Sequence, residues 1–254
     1  MKKQILAVMV GLSVALAGCS TQSTESMLQE VKKDTKEIKS GKVAISMSST
    51  DEENRSIGYE LNGDEKFDPT EYKLKGIYKQ AGKDSDVELY LKDGVKFLKL
   101  NVGGESRWGK NKLSPGDREL FNFKNNAINM QDSILNLLDK KDNWEAIKEG
   151  DKVTFKLKKN DEAKKKVEEE YLKTVEDDDG GTVKFSEFEY KIEYVFNTKT
   201  KKIEKILYEI SGTSDDTSKI ISKGSIEEID KEVKIEVPEE SKKAKEMSDL
   251  TPKS

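Results

Sequence analysis

Between Phe188 and Phe196 every second residue is large and apolar: Phe188, Tyr190, Ile192, Tyr194 and Phe196. Glu189, Lys191, Glu193 and Val195 stand between them. Successive side chains of a strand point to opposite sides of a sheet, so this period of two describes a strand with one dry and one wet face. The same pattern recurs at Val43, Ile45 and Met47, at Ile57, Tyr59 and Leu61, and at Val153, Phe155 and Leu157, and another extended run after Pro69 holds Tyr72, Leu74 and Ile77. Only 33% of residues are apolar and 38% are charged. Placing the few apolar residues in register is what lets such a chain build a core, and its interleaved, mixed-sign charges belong to solvated faces rather than to disorder.

Two hairpins can be read to the level of register. Asp93-Gly94 between Leu91 and Val95 specifies a two-residue turn. It pairs Lys92 with Val95, which sets Leu89 opposite Leu98 and Val87 opposite Leu100 on one face, and Glu88 opposite Lys99 and Tyr90 opposite Phe97 on the other. A slip by one residue would destroy both faces. In the second hairpin, pairing Tyr194 with Ile206 across the turn at Asn197 to Lys201 puts Ile192 opposite Tyr208, Tyr190 opposite Ile210 and Lys191 opposite Glu209. Further strands are expected at Ile220–Ile226 and Val233–Val237, the last stopped by Pro238.

Helical spacing appears in three places. Leu28, Val31, Thr35 and Ile38 predict a helix over Thr24–Lys39; Ile128, Ile134, Leu135 and Leu138 predict one over Ala127–Leu138; and Ala163, Val167 and Tyr171 predict one over Asp161–Val175. The resulting fold class is α+β: a large, strongly curved antiparallel sheet, a half-open barrel of about nine or ten strands, with helices covering the concave face.

The first residues give an address. Lys2 and Lys3 precede an apolar run from Ile5 to Leu16, which ends in Leu16-Ala17-Gly18-Cys19. The run is too short to span a bilayer and has the parts of a secretory signal. Its end resembles a bacterial lipobox, in which the cysteine is lipid-modified and becomes the new N-terminus. The expected organisation is a lipoprotein signal peptide at 1–18, an acylated cysteine and polar tether at 19–26, a single curved-sheet domain at 27–240 and a charged tail at 241–254. Cys19 is the only cysteine, so no disulfide supports the fold. The expected location is the extracytoplasmic face of a bacterial cell membrane, held through lipidated Cys19. The mildly acidic chain, formal charge −4, is not suited to holding nucleic acid.

Several short stretches then carry a likeness: Gly41-Lys42-Val43, Glu88 through Gly94, Ser106-Arg107-Trp108-Gly109-Lys110, Tyr194 through Thr200, and Ile235-Glu236-Val237-Pro238-Glu239-Glu240. In this order they resemble Gram-positive bacterial lipoproteins related in fold to the LppX and LolA carriers. The resemblance implies a half-open antiparallel barrel plugged by helices around a cavity that in some members receives lipid. Its motifs are turns and strand ends, so it transfers no ligand residue.

Catalytic chemistry is hard to place. The chain has no histidine, and its cysteine is committed to the lipid, which removes Ser-His-Asp and Cys-His catalysis and His- or Cys-ligated zinc. The Ser-x-x-Lys, Gly-x-Ser-x-Gly, P-loop and dinucleotide signatures are absent. The run Glu176-Asp177-Asp178-Asp179-Gly180-Gly181 fails as a calcium loop: aligned on Gly180, it leaves Val175 at the first ligand and Ser186 at the bidentate one. A non-enzyme without cofactors is expected. The candidate ligand cavity is the apolar face of the second hairpin, Tyr190, Ile192, Tyr194, Ile206, Tyr208 and Ile210. Either that face lines a space for a lipid or other amphiphile, or it fills an ordinary core. In the second case the protein is an envelope interaction protein that binds another protein or a wall polymer through its outer surface.

Overall fold

A computed structural model describes residues 22–80, 82–102, 105–114, 121–175, 184–214 and 218–247. Cys19, the signal segment, the acidic run at 176–181 and the end of the tail lie outside the described residues. The chain begins with α1 (Thr24–Glu37), capped by the Ser23 hydroxyl, which accepts from the Ser26 amide. Six strands follow in sequence: β1 (Ser40–Thr50), β2 (Ser56–Phe67), β3 (Thr70–Gln80), β4 (Lys83–Lys92), β5 (Val95–Val102) and β6 (Glu105–Lys112). A helical stretch holds α2 (Phe123–Asn126) and α3 (Asp132–Leu135). Then come β7 (Trp144–Glu149), β8 (Lys152–Leu157), α4 (Asp161–Val175), β9 (Phe185–Asn197), β10 (Lys202–Ser214), β11 (Lys219–Glu227) and the short β12 (Lys245–Glu246).

The twelve strands among the described residues form one open sheet in the order β12-β6-β5-β4-β3-β2-β1-β11-β10-β9-β8-β7. Every pairing is antiparallel except β12 against β6. The closing contact of the series is β1 with β11, which joins the first six strands to the last. One inward row crosses eleven strands: Gly109, Leu98, Leu89, Leu74, Gly63, Val43, Ile226, Ile206, Tyr194, Phe155 and Ala146. A single parity of alternation therefore serves the whole sheet.

Both hairpins have the expected register. Lys92 pairs with Val95, Leu89 with Leu98 and Val87 with Leu100. Asp93 and Gly94 both take positive φ, 50° and 73°, as a type I′ turn requires. In the second hairpin Tyr194 pairs with Ile206, Ile192 with Tyr208 and Tyr190 with Ile210. A bulge at Glu204 ends the regular ladder near the turn, where Asn197 donates to the Glu204 carboxylate.

Four features differ from the sequence expectations. The sheet has twelve strands because residues 105–112, 144–149 and 245–246, which lack clean alternation, pair along its two edges. The helix expected over Ala127–Leu138 is a broken chain of short turns. Ala127 and Gln131 take extended backbone, yet Ile128, Ile134, Leu135 and Leu138 all stay buried. The Gln131 side chain donates to the carbonyls of Lys124, Asn125 and Ala127, holding the break open. Val233–Val237 is not a strand. That segment crosses the outer face, where Ile235 is buried and its carbonyl accepts from Lys92. The Tyr90–Phe97 pair accordingly lies on the outer face but is not wet at Tyr90, which is fully buried and meets Trp108 at 5.9 Å.

The first hairpin supports two predictions. Glu88 accepts from Lys75, Lys99 and Tyr90. Burial opposes its ionisation, but these three partners outweigh it and hold the carboxyl at about 2, against an ordinary 4.5. A lowered folded-state value means stability that is present above about pH 4.5 and lost as pH falls toward 2. Glu88→Gln should therefore cost about 1–3 kcal/mol at pH 7 and little near pH 2, read as urea midpoints across that range. Leu89→Asp, placing a charge among Val87, Leu98 and Leu100, should cost about 3 kcal/mol or more at neutral pH in the same assay.

Candidate functional site

The concave face divides into two halves of different character. Helical elements lie over β9 and β10. Leu28, Val31 and Thr35 of α1 and Ile38 just after it are buried there, and Asp34 fixes the helix by accepting from the Ile203 amide at 2.8 Å and pairing with Lys202. Ala163, Val167 and Tyr171 of α4 are buried beside them. Asn160 caps α4 by accepting from the Ala163 amide. The spacing that made these helices amphipathic thus determines which half of the sheet they dry.

The six expected site residues share that covered half. Their exposures run from 0% for Ile192, Tyr194 and Ile206 through 1% for Ile210 to 6% and 8% for Tyr190 and Tyr208. Tyr194 donates to the Asn129 carbonyl and meets the Trp144 ring edge-on at 5.5 Å. Trp144 in turn donates to the Leu137 carbonyl at 2.9 Å. The Tyr190 hydroxyl donates to the Lys158 carbonyl at 2.8 Å and accepts from the Asn160 amide. The Tyr208 ring lies over Gly224, where any side chain would overlap it, and faces Phe123 at 6.4 Å. Burial raises the hydroxyl pKa of all three tyrosines, that of Tyr208 to about 12. Tyr190 and Tyr194 thus meet their hydrogen-bonding needs within the protein, and the hairpin face packs against helices.

Over β1 to β5 the cover is uneven: Val43, Leu61, Leu74, Val87 and Leu89 are buried, while the inward side chains on β5 and toward one end of β1 to β3 are only partly covered. Ile45, Met47, Tyr59, Tyr78, Leu98 and Leu100 point inward and are partly exposed, and Phe121, Phe185 and Ile220 adjoin them. Tyr59 and Tyr78 are direct cross-strand partners, and the Tyr59 ring stands edge-on to Phe121 at 5.8 Å. Ile57, on the same inward parity at the end of β2, is 47% exposed. Sequence alternation identifies the inward direction of these residues. It carries no signal that the helices stop short of them, because coverage is a property of chain path rather than of any local pattern.

No family model matches the chain, and no curated protein matches its sequence. Among solved structures, LprF from Mycobacterium bovis is similar with a TM-score of 0.43 and 11% identity, over 85% of this chain and 96% of that one. Lipoprotein LppX from Mycobacterium tuberculosis is similar with a TM-score of 0.36 and 12% identity, over 84% of this chain and all of that one. LppX belongs to the group that the sequence motifs resemble. The fold class itself stands on the strand order: one large, open, mostly antiparallel sheet with a few helices.

The packed half generates the next prediction. Gly224→Ala must displace the Tyr208 ring and should destabilise by about 1–3 kcal/mol. Tyr194→Phe, which removes only the bond to the Asn129 carbonyl, should cost about 1 kcal/mol. Thermal unfolding of the two variants beside the parent checks both, and a neutral Gly224→Ala would mean that Tyr208 does not lie over β11.

Proposed function

We propose that the protein is a non-catalytic lipoprotein, anchored through acylated Cys19 on the extracytoplasmic face of a bacterial membrane, that holds a hydrophobic or amphiphilic ligand on its concave sheet face. The observation that supports this reading is the unequal cover of that face: helices dry β9 and β10, while Ile45, Tyr59, Tyr78, Leu98 and Leu100 are only partly covered on the inner side, beside the buried Leu61, Leu74 and Leu89. A contiguous apolar surface of this kind is costly to leave in water and marks a site of association. Position beside a bilayer supplies acyl chains as its natural occupant. An anchor with two or more chains would hold the domain durably there, since one chain alone binds reversibly. No described helix is long and apolar enough to cross a membrane, which leaves the lipid as the anchor this reading requires.

One observation favours the alternative, an envelope interaction protein. The outer face carries a groove of about 350 Å³ over β2, β1, β11 and β10, where Ala44, Ser46, Asn62 and Ser225 are small and Glu60, Glu209 and Lys223 stand at the sides. Such a groove suits a polar polymer or peptide better than an acyl chain.

Two measurements test the proposal. Fatty-acid labelling in cells should tag the parent chain and not Cys19→Ala; label on the variant would refute acylation at that residue. Organic extraction of the purified full chain should recover a non-covalent acyl lipid, and a Leu98→Gln, Leu100→Gln double variant should retain several-fold less of it. Extraction of no lipid from a folded parent chain would leave the outer groove as the better candidate.

A further inference from the structure

The start of α1 restricts how an anchored domain can stand on a membrane. Gln22 lies three residues after Cys19, so no more than about 11 Å can separate the two, whatever path the chain takes. Gln22 and Ser23 lead directly into the helix: Gln22 donates to the Ser26 hydroxyl, and the Ser23 hydroxyl accepts from the Ser26 amide. The helix therefore begins within one short reach of the anchoring residue.

Two other segments meet α1 at that point. Glu25 pairs with Lys141 at 2.6 Å, and Asp139 accepts from Gln29 at 3.1 Å and pairs with Lys32. Lys140 in turn pairs at 2.7 Å with Glu162 on the first turn of α4. Lys158 and Lys159 stand just before that turn, and Lys159 pairs with Glu189. The start of α1, residues 139–142 and residues 158–162 thus form one corner of the molecule.

The chemistry of this corner suits one kind of surface. Residues 22–26, 139–142 and 158–162 include no apolar side chain. Their charges are of both signs, Lys140, Lys141, Lys158 and Lys159 beside Glu25, Asp139, Asp142, Asp161 and Glu162. Such groups are too costly to bury among acyl chains. A hydrated headgroup layer is different, because it offers phosphates to the lysines and hydrogen-bond donors to the carboxylates. The near balance of the two signs gives the corner little attraction of its own toward a membrane, so contact depends on the anchor and its short reach.

The partly covered inner side chains lie elsewhere. α4 leads away from the corner, and Tyr171, ten residues and about 15 Å along it, packs against Phe185 and Phe188. Tyr59, Tyr78 and Ile220 belong to β2, β3 and β11, four or more strands across the sheet from β7.

We propose that this corner is the membrane-facing surface of the protein, held against lipid headgroups by the short reach from Cys19, with the partly covered inner side chains outside the contact. The inference rests on the reading that Cys19 is acylated, and it adds the orientation that the anchor imposes.

The test uses the full acylated chain in phosphatidylcholine vesicles that contain a lipid with a nitroxide on its headgroup. The lipid blocks the Cys19 thiol, so a fluorophore can be placed on one added cysteine, in Asp142→Cys or in Glu53→Cys. Both positions are exposed, and Glu53 lies in the turn between β1 and β2. Flotation first establishes that each labelled chain is bound to the vesicles. Against nitroxide-free vesicles, a label at position 142 should lose most of its emission and a label at position 53 should lose none. Equal quenching at the two positions, stronger quenching at 53, or quenching at neither in chains that float would overturn the orientation and leave the anchor intact. A parent chain that does not float, or a Cys19→Ala chain that floats as well, would instead defeat the anchoring reading on which the orientation depends.

Discussion

A sheet of twelve strands with one apolar face, in a chain whose single cysteine rules out a disulfide, depends on whatever helices the sequence supplies to dry that face. Among the described residues only α1 and α4 are longer than a turn or so, and they pack against β10 and β9. The broken segment from Phe123 to Asn143 fills the space between them with Ile128, Ile134, Leu135, Leu137 and Leu138 rather than adding a third long helix. Cover is therefore unequal across a face whose alternation is uniform. The packed and the partly covered parts of the face both follow from that mismatch between the area of the sheet and the supply of helix.

The two faces of the sheet solve different problems. Inside, residues pack in rows that run strand to strand, and Tyr194 and Tyr190 send their hydroxyls to the carbonyls of Asn129 in the helical segment and of Lys158 between β8 and α4. Outside, lysine and glutamate alternate in cross-strand pairs such as Lys99 with Glu88, Lys205 with Glu227 and Lys191 with Glu209. Exposed pairs of this kind contribute little each, but they keep the wide outer surface soluble and discourage pairing with other sheets. The exception is the patch of Tyr90, Phe97 and Trp108, where the chain after β11 returns across the outer face and ends by pairing β12 with β6. That return covers an aromatic surface and shields one edge of the sheet.

Much of this was legible before any coordinates. The Asp93-Gly94 turn allows one register, and both hairpins have the pairing that alternation requires, because a shift by one residue would have put Leu89 or Tyr194 into water. The six expected site residues do share one buried face. Their role was the harder inference: a row of tyrosines and isoleucines looks the same whether helices or a ligand cover it, and the half-exposed surface lies instead around Tyr59, Tyr78, Leu98 and Leu100. Edge strands such as β6 and β7 were also hard to read, since a strand paired along the rim needs no clean alternation.

The sequence by itself determined the strands, their turns, the inward parity of each and the two long helices, because these follow from interactions between residues close along the chain or directly opposite across a hairpin. Only the tertiary structure decided that β1 meets β11, that α1 and α4 lie over the same half of the sheet, and which inward side chains the helical elements leave partly covered. Those outcomes depend on where distant segments come to rest, and no local period or spacing encodes the space left between them.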